Sequence, residues 1–478
     1  RAFKADSKQL PAKKIQSRFC FVCNLKSNNM QKLFTSFFII AAMLFSLASC
    51  TNMSGKDAAP NAVNAIPKLL DNPLTTGSDI EWENILTSYD KAIATLNQNP
   101  AALDQYIVLA QVFITEARLT GNSGYYNDAA IKMLDKVLTD ENKNDEIVFQ
   151  ALTLKSGVLL SMHQFTDALA TANTAYAIST HNAQLLGALV DAHVELGNYT
   201  EAVKYCDMMM QLRPDIRSYS RVSYLRQIHG DNAGAIEAMK MAVESGLPGA
   251  ESTEWARVVL GDLLIMTGDL KNAEICYTTA DGLRNNYAYA KAGLGRLAKA
   301  KGDYKTAIDY AEQAIAIMSD VAFVNQLGDL YALKGDKQKA GEIRADVMDL
   351  LKDAEKEQNK NDASIKHNGA RELAMAYMQN GKLADAYTFA KKDLVTRQSN
   401  IDANELAAWT AYLNKDYKQA KMYAEKMMAT NSKNPVTMYK AGIILKKNGD
   451  NEKGTTLINE ATAMQANIAS QVNTAITY

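Results

Sequence analysis

One tract recurs along this chain and limits its fold more than any other feature. A turn rich in Gly, Asn and Asp is followed by an aromatic or aliphatic residue, two polar residues and an alanine, as in Tyr126-Asn127-Asp128-Ala129, Phe165-Thr166-Asp167-Ala168 and Tyr199-Thr200-Glu201-Ala202. Further copies close at Ala235, Ala273, Ala307, Ala340, Ala386 and Ala420, and a decayed one at Gly454. Successive closing positions lie 39, 34, 33, 38, 34, 33, 46, 34 and 34 residues apart. Such a period marks one supersecondary unit repeated, each copy burying its apolar face only against its neighbours. The chain has 478 residues, beyond the roughly 250–300 at which a single core stops growing, so repetition also answers the size problem.

The stretch from Leu294 to Ala314 gives the unit its form. Leu294, Gly295 and Ala298 share one helical face, Gly302-Asp303 stops that helix, and Ala307, Ala311 and Ala314 recur at helical spacing on the next. Small residues on the second face let two helices approach closely, and Tyr304 fills the gap between units. This pattern resembles the tetratricopeptide repeat, a 34-residue helix-turn-helix, over roughly residues 100 to 465. The resemblance implies an all-α, right-handed superhelix, an α-solenoid of about ten helix-turn-helix units. It departs from the family where Lys291, Arg257 and Val324 replace the frequent first-helix tryptophan, and only the unit at Tyr199 has the closing proline, Pro214. Residues 79–98 read as an amphipathic capping helix and Ala463 to Ala475 as a closing one. The expected organisation is an array over 79–350, a charged extension or loop over 351–366, and further repeats with the closing helix over 367–478. A length excess at Gly121-Asn122-Ser123-Gly124 is read as another loop.

Composition agrees with helix: 8 prolines, 25 glycines and 8% aromatics in a chain that is 47% apolar and 22% charged, too apolar for wholesale disorder. Lys+Arg 52 against Asp+Glu 53 argues against a protein that coats nucleic acid.

The first methionine is Met30, so residues 1–29 are read as upstream translation and the Cys20–Cys23 spacing as meaningless. Residues 30–49 read as a lipoprotein signal peptide: Lys32, an apolar run from Leu33 to Leu47 too short to span a bilayer, then small residues. Leu47-Ala48-Ser49-Cys50 resembles the bacterial lipobox, which implies cleavage before Cys50 and its acylation. Residues 50–78, with Pro60, Pro67 and Pro73, read as a flexible tether. Thr51 after Cys50 resembles the outer-membrane sorting signal, facing the periplasm. Cys206 and Cys276 fall on apolar faces of non-adjacent units and are expected as free buried thiols.

Signatures of catalysis are missing. The five histidines form no HExxH pair, and no phosphate loop, nucleophile elbow or dinucleotide fingerprint occurs, so no enzyme, cofactor, metal site or small-molecule substrate is expected. His193 is read as a core residue. Asp191, Asp262 and Asp329 occupy equivalent first-helix places, read either as a solvated acidic groove or as a grip for Lys and Arg of a partner. In the resembled fold the first helices face a concave groove, which places Arg217, Arg221, Tyr224, Trp255, Tyr289, Arg296, Trp409, Tyr412 and Tyr439 inward. Arg and aromatic side chains are common interface anchors, although Trp255 and Trp409 could equally pack between helices. The family's carboxylate clamp has no counterpart in Ala292, Arg296, Asn325, Asp329, Arg371 and Met375. The expectation is a lipid-anchored scaffold or adaptor of the bacterial cell envelope, binding protein partners and not nucleic acid. The alternative is a glycan-binding lipoprotein of a starch-binding uptake system, against which stand three tryptophans and no long aromatic insertion.

Overall fold

Five of the described units share one local device at their turn. In Gly302-Asp303 the glycine takes a left-handed φ of 78°, ending one helix, and the Asp303 carboxylate accepts from the Thr306 backbone N–H at 3.1 Å, starting the next. Asp231, Asp269, Asp336 and Asp416 cap their helices in the same register. The result, in a computed structural model that describes residues 66–70, 79–360 and 366–474, is a chain of α-helices with no strand among the described residues. The chain divides into two units, residues 1–61 and 62–478, and all described residues belong to the second. None of the described helices is long and apolar enough to cross a membrane.

Ten helix pairs follow a single helix, Asp79–Gln98. Pairs 1 to 5 are Leu103–Thr120 with Ser123–Thr139, Asp145–Ser161 with Phe165–Ile178, Ala183–Glu195 with Tyr199–Leu212, Ile216–Ile228 with Asn232–Glu244, and Glu251–Met266 with Leu270–Leu283. Pairs 6 to 10 are Ala288–Ala300 with Tyr304–Ile317, Val321–Lys334 with Lys337–Lys360, Ala370–Gln379 with Leu383–Leu394, Ile401–Leu413 with Tyr417–Met427, and Pro435–Lys447 with Asn451–Met464. Ile468–Thr474 ends the described chain. This is the expected α-solenoid. Two local expectations are corrected. The excess near Gly121 is not a loop: Gly121 turns the chain, Asn122 is the N-cap, and the extra residues lengthen the helices of pairs 1 and 2. The last helix begins at Ile468 and not Ala463, because the preceding helix runs to Met464 before the chain turns extended at Gln465.

Packing within and between pairs follows the small-residue rule. Ala307, Ala311 and Ala314 are fully buried or nearly so. Tyr277 lies on two glycines of successive first helices: a Cβ on Gly261 would come 2.6 Å from its ring and one on Gly293 2.3 Å. Its hydroxyl donates to Asp262 Oδ1 at 2.6 Å, so the ring is both wedge and hydrogen-bond donor.

The solenoid closes upon itself. The turn inside each early pair meets the segment six pairs further on. Asn368 N donates to Met162 O at 2.9 Å, Asn400 Nδ2 to Val194 O at 3.1 Å, and Ile401 N to the Tyr199 hydroxyl at 2.9 Å. Glycines at these turns register the contact. A Cβ would stand 2.3 Å from the Ser399 carbonyl carbon at Gly197 and 2.5 Å from Asn431 O at Gly230, whereas at Gly302, Gly335, Gly381 and Gly449 nothing lies within 4 Å. The turns of pairs 3 and 4 are thus covered by the next round, and those of pairs 6, 7, 8 and 10 are open.

Residues 66–70, inside the stretch read as a tether, are held against pair 1. Tyr89 and Tyr125 hydroxyls donate to Pro67 O at 3.0 Å and Lys68 O at 2.7 Å, and Leu70 N donates to the Tyr126 hydroxyl at 3.1 Å. Ile66 is buried in the core there.

Candidate functional site

The first helices carry a ladder of ion pairs from one unit to the next. Asp191 on pair 3 takes Arg221 of pair 4, with Nε–Oδ1 at 2.9 Å; Asp262 of pair 5 takes Arg296 of pair 6 at 2.7 Å. Glu405 of pair 9 takes Lys440 of pair 10 at 2.7 Å. Asp329 is met instead by buried Arg344 of its own pair at 3.0 Å. Asp191, Asp262 and Asp329, read from sequence as a solvated acidic groove or a grip for a basic partner, are paired within the fold. Burial pushes the Glu405 carboxyl up, but Lys440 and the Thr437 hydroxyl outweigh it and hold it below its usual value.

The nine residues expected along the groove divide accordingly. Arg221 and Arg296 are committed to Asp191 and Asp262. Tyr289 packs edge-on against Tyr287 and Phe323. Trp409 is 2% exposed, stacked on Tyr412 with ring centroids 5.2 Å apart, in a core cluster that Tyr439 flanks; its indole packs between helices. Arg217 is exposed and clasps its own N-cap, Asp215, at 2.8 Å. Tyr224 and Trp255, 38% and 41% exposed, are the large aromatics left open. Helical spacing puts Tyr224 on the stripe of Arg217 and Arg221, and Trp255 on that of Asp262. Burial raises the Tyr224 hydroxyl pKa, and Asp402 and Glu195 on facing elements add to it.

Where pair 2 meets the approach to pair 8, a cavity of about 380 Å³ is lined by His163, Phe165, Glu195, Arg371, Glu372 and Arg397. His163 Nδ1 lies 3.3 Å from Glu372 Oε1, and the His163 and His367 ring centroids are 4.6 Å apart. The His163 ring stacks on Phe165, which the Arg397 guanidinium covers at 4.9 Å. Burial holds the His367 imidazole below its usual pKa, with His163 adding to the effect. Sequence spacing could not find this cluster, because its members stand some two hundred residues apart. Its one local signal is His163 itself, standing where eight of the other nine pairs carry glycine. Of the remaining expectations, Cys206 and Cys276 are free thiols, the first buried and the second half-buried, and His193 is buried, stacked on Tyr205. Cys20, Cys23, Met30 and Cys50 lie outside the described residues.

Profiles of the tetratricopeptide repeat match residues 159–227 and 288–318. No curated protein matches the chain. Among solved structures, a tetratricopeptide repeat protein from Parabacteroides merdae shares 14% identity, covering 52% of this chain and 93% of that one, with TM-score 0.39. The APC/C hetero-tetramer Cut9–Hcn1 shares 16% identity over 78% of this chain and 66% of that one, with TM-score 0.43. A thermophilic repeat protein from Thermus thermophilus shares 17% identity over 45% of this chain and all of that one, with TM-score 0.33.

Proposed function

Because this chain is a tetratricopeptide repeat protein, a fold of the protein-interaction scaffold kind, we propose that it is a non-catalytic adaptor of the bacterial cell envelope. In this reading it is lipid-anchored through Cys50 at the outer membrane, facing the periplasm, and binds a protein partner at the first helices of pairs 4 and 5. The observation that supports it best is the contrast among the nine first-helix residues. Most of those charged and aromatic residues are consumed by internal pairs or packing, while Tyr224 and Trp255 stay 38% and 41% exposed. Exposed aromatics bury much area at small rotamer cost, which is what a partner-binding anchor needs.

The test is a photo-crosslinking amino acid at Tyr224 or Trp255 in native envelope membranes, read by mass spectrometry, with a Cys50→Ala control. A protein adduct at both positions, and release of Cys50→Ala from the membrane fraction, support the reading. Absence of any protein adduct from either position overturns the partner site, and Cys50→Ala remaining membrane-bound overturns the anchor.

A further inference from the structure

The turn inside each helix pair has one position with a left-handed backbone. It is Gly121, Gly197, Gly230, Gly268, Gly302, Gly335, Gly381 and Gly449 in eight pairs, Lys415 in pair 9, and His163, at φ 57°, in pair 2. The repeat's own pattern therefore asks for glycine where this chain keeps a histidine in a conformation that L side chains rarely adopt. Its imidazole does not go to solvent. It lines the cavity between superhelical rounds together with Glu372 from the first turn of Ala370–Gln379, and the ring of His367, from the approach to pair 8, lies 4.6 Å from it.

We propose that His163, His367 and Glu372 bind a first-row divalent cation of the Zn²⁺ class, fastening pair 2 to pair 8 across one round of the solenoid. One donor atom from each residue lies within 4.8 Å of the others, and His163 Nδ1 and Glu372 Oε1 already stand 3.3 Å apart. Ligands at about 2.0–2.1 Å around a tetrahedral ion sit about 3.3 Å from one another, so donors already within 4.8 Å need only draw together to complete the set. Two imidazoles and one carboxylate suit a borderline cation rather than Ca²⁺ or Mg²⁺, which take oxygen ligands. Glu372 Oε2 is buried with no hydrogen-bond partner, a cost that a bound ion would remove. The frame is held independently of any ion, by Asn368 N donating to Met162 O at 2.9 Å and Gln164 Nε2 donating to Lys366 O. This inference does not depend on the partner reading above.

The experiment uses the full chain, tag-free, with Cys20→Ser and Cys23→Ser so that their thiols do not compete. Zn²⁺ is titrated calorimetrically, and Co²⁺ is used as a spectroscopic probe of coordination. One equivalent of Zn²⁺ is expected to bind, with a rise in melting temperature and slowed amide exchange at residues 162–165 and 366–372 together. His163→Gly is the decisive variant, because glycine is what the turn accommodates elsewhere. It should be at least as stable as the parent without metal, yet bind Zn²⁺ at least about tenfold more weakly and lose the Co²⁺ spectrum. His367→Ala should do the same. No saturable binding by the parent, or equal affinity in His163→Gly, overturns the proposal.

Discussion

The Arg397 guanidinium reaches back 202 residues to Glu195, with Nη2 2.6 Å from Oε2 and Nε donating to the backbone carbonyl at 3.0 Å. Arg397 is 1% exposed and is also held by Asp393 at 2.9 Å and by Asn400 Oδ1 at 3.1 Å. It joins the loop between pairs 8 and 9 to the turn of pair 3, and so fixes one superhelical round upon the next. Removing one partner of a buried ion pair costs about 3–5 kcal/mol, because the other charges are left without compensation. Arg397→Ala should therefore speed amide exchange at the turns of pairs 2 to 4 and at the loops before pairs 8 to 10, while leaving pairs 5 and 6 protected. Uniform loss of protection would show that the rounds do not meet there.

Gly197 and Gly302 have the same left-handed backbone, φ 79° and 78°, but only Gly197 has the next round against it. Gly302→Ala should cost the conformational penalty alone, about 1–2 kcal/mol. Gly197→Ala carries that penalty plus a clash with the Ser399 backbone that no side-chain rotation relieves, and should lower the urea midpoint clearly more. Equal losses would refute the stacking of rounds.

Trp409 and Trp255 separate packing from recognition. Trp409 is 2% exposed, and Trp409→Ala should cost about 3–5 kcal/mol through the cavity it leaves. Trp255 is 41% exposed, so Trp255→Ala should alter stability by less than about 0.5 kcal/mol while weakening partner crosslinking. Denaturant titration with a pull-down of the crosslinked partner reads both.

Glu116 sets a pH dependence in the first pair. It is wholly buried, neither carboxylate oxygen has a hydrogen-bond partner, and burial raises its carboxyl from 4.5 to about 7, with nearby Tyr126 opposing. The folded state then holds a proton that the unfolded state has released, so its contribution is full below about pH 4.5 and is lost as pH rises to about 7. Glu116→Gln should flatten that part of the stability profile and melt higher than the parent at pH 8. A variant that melts lower at pH 8, or a parent profile rising with pH over this window, would contradict it.

Much of the fold was legible because each unit is decided locally. The Gly-Asp turn, the cap at Asp303 and the alanines at 307, 311 and 314 all lie within one period, and a helix pair needs nothing further to form. Reading the wall was harder. The first-helix positions of Arg221, Arg296 and Trp409 were visible from helical spacing, but their roles were not. Whether a side chain on that stripe meets a partner, an Asp one unit away or a neighbouring ring depends on the rotation between units.

The sequence by itself determined how many helix pairs there are, where each turns, and which face of each is oily, since those follow from backbone propensity and spacing within some thirty residues. Only the tertiary structure decided that Arg397 finds Glu195, that Gly197 is pressed by Ser399, and that His163, His367 and Glu372 bring their donor atoms together. The physical reason is accumulation: a small rotation between neighbours, repeated over six pairs, sets which distant turns come to lie against one another, and no local pattern records that sum.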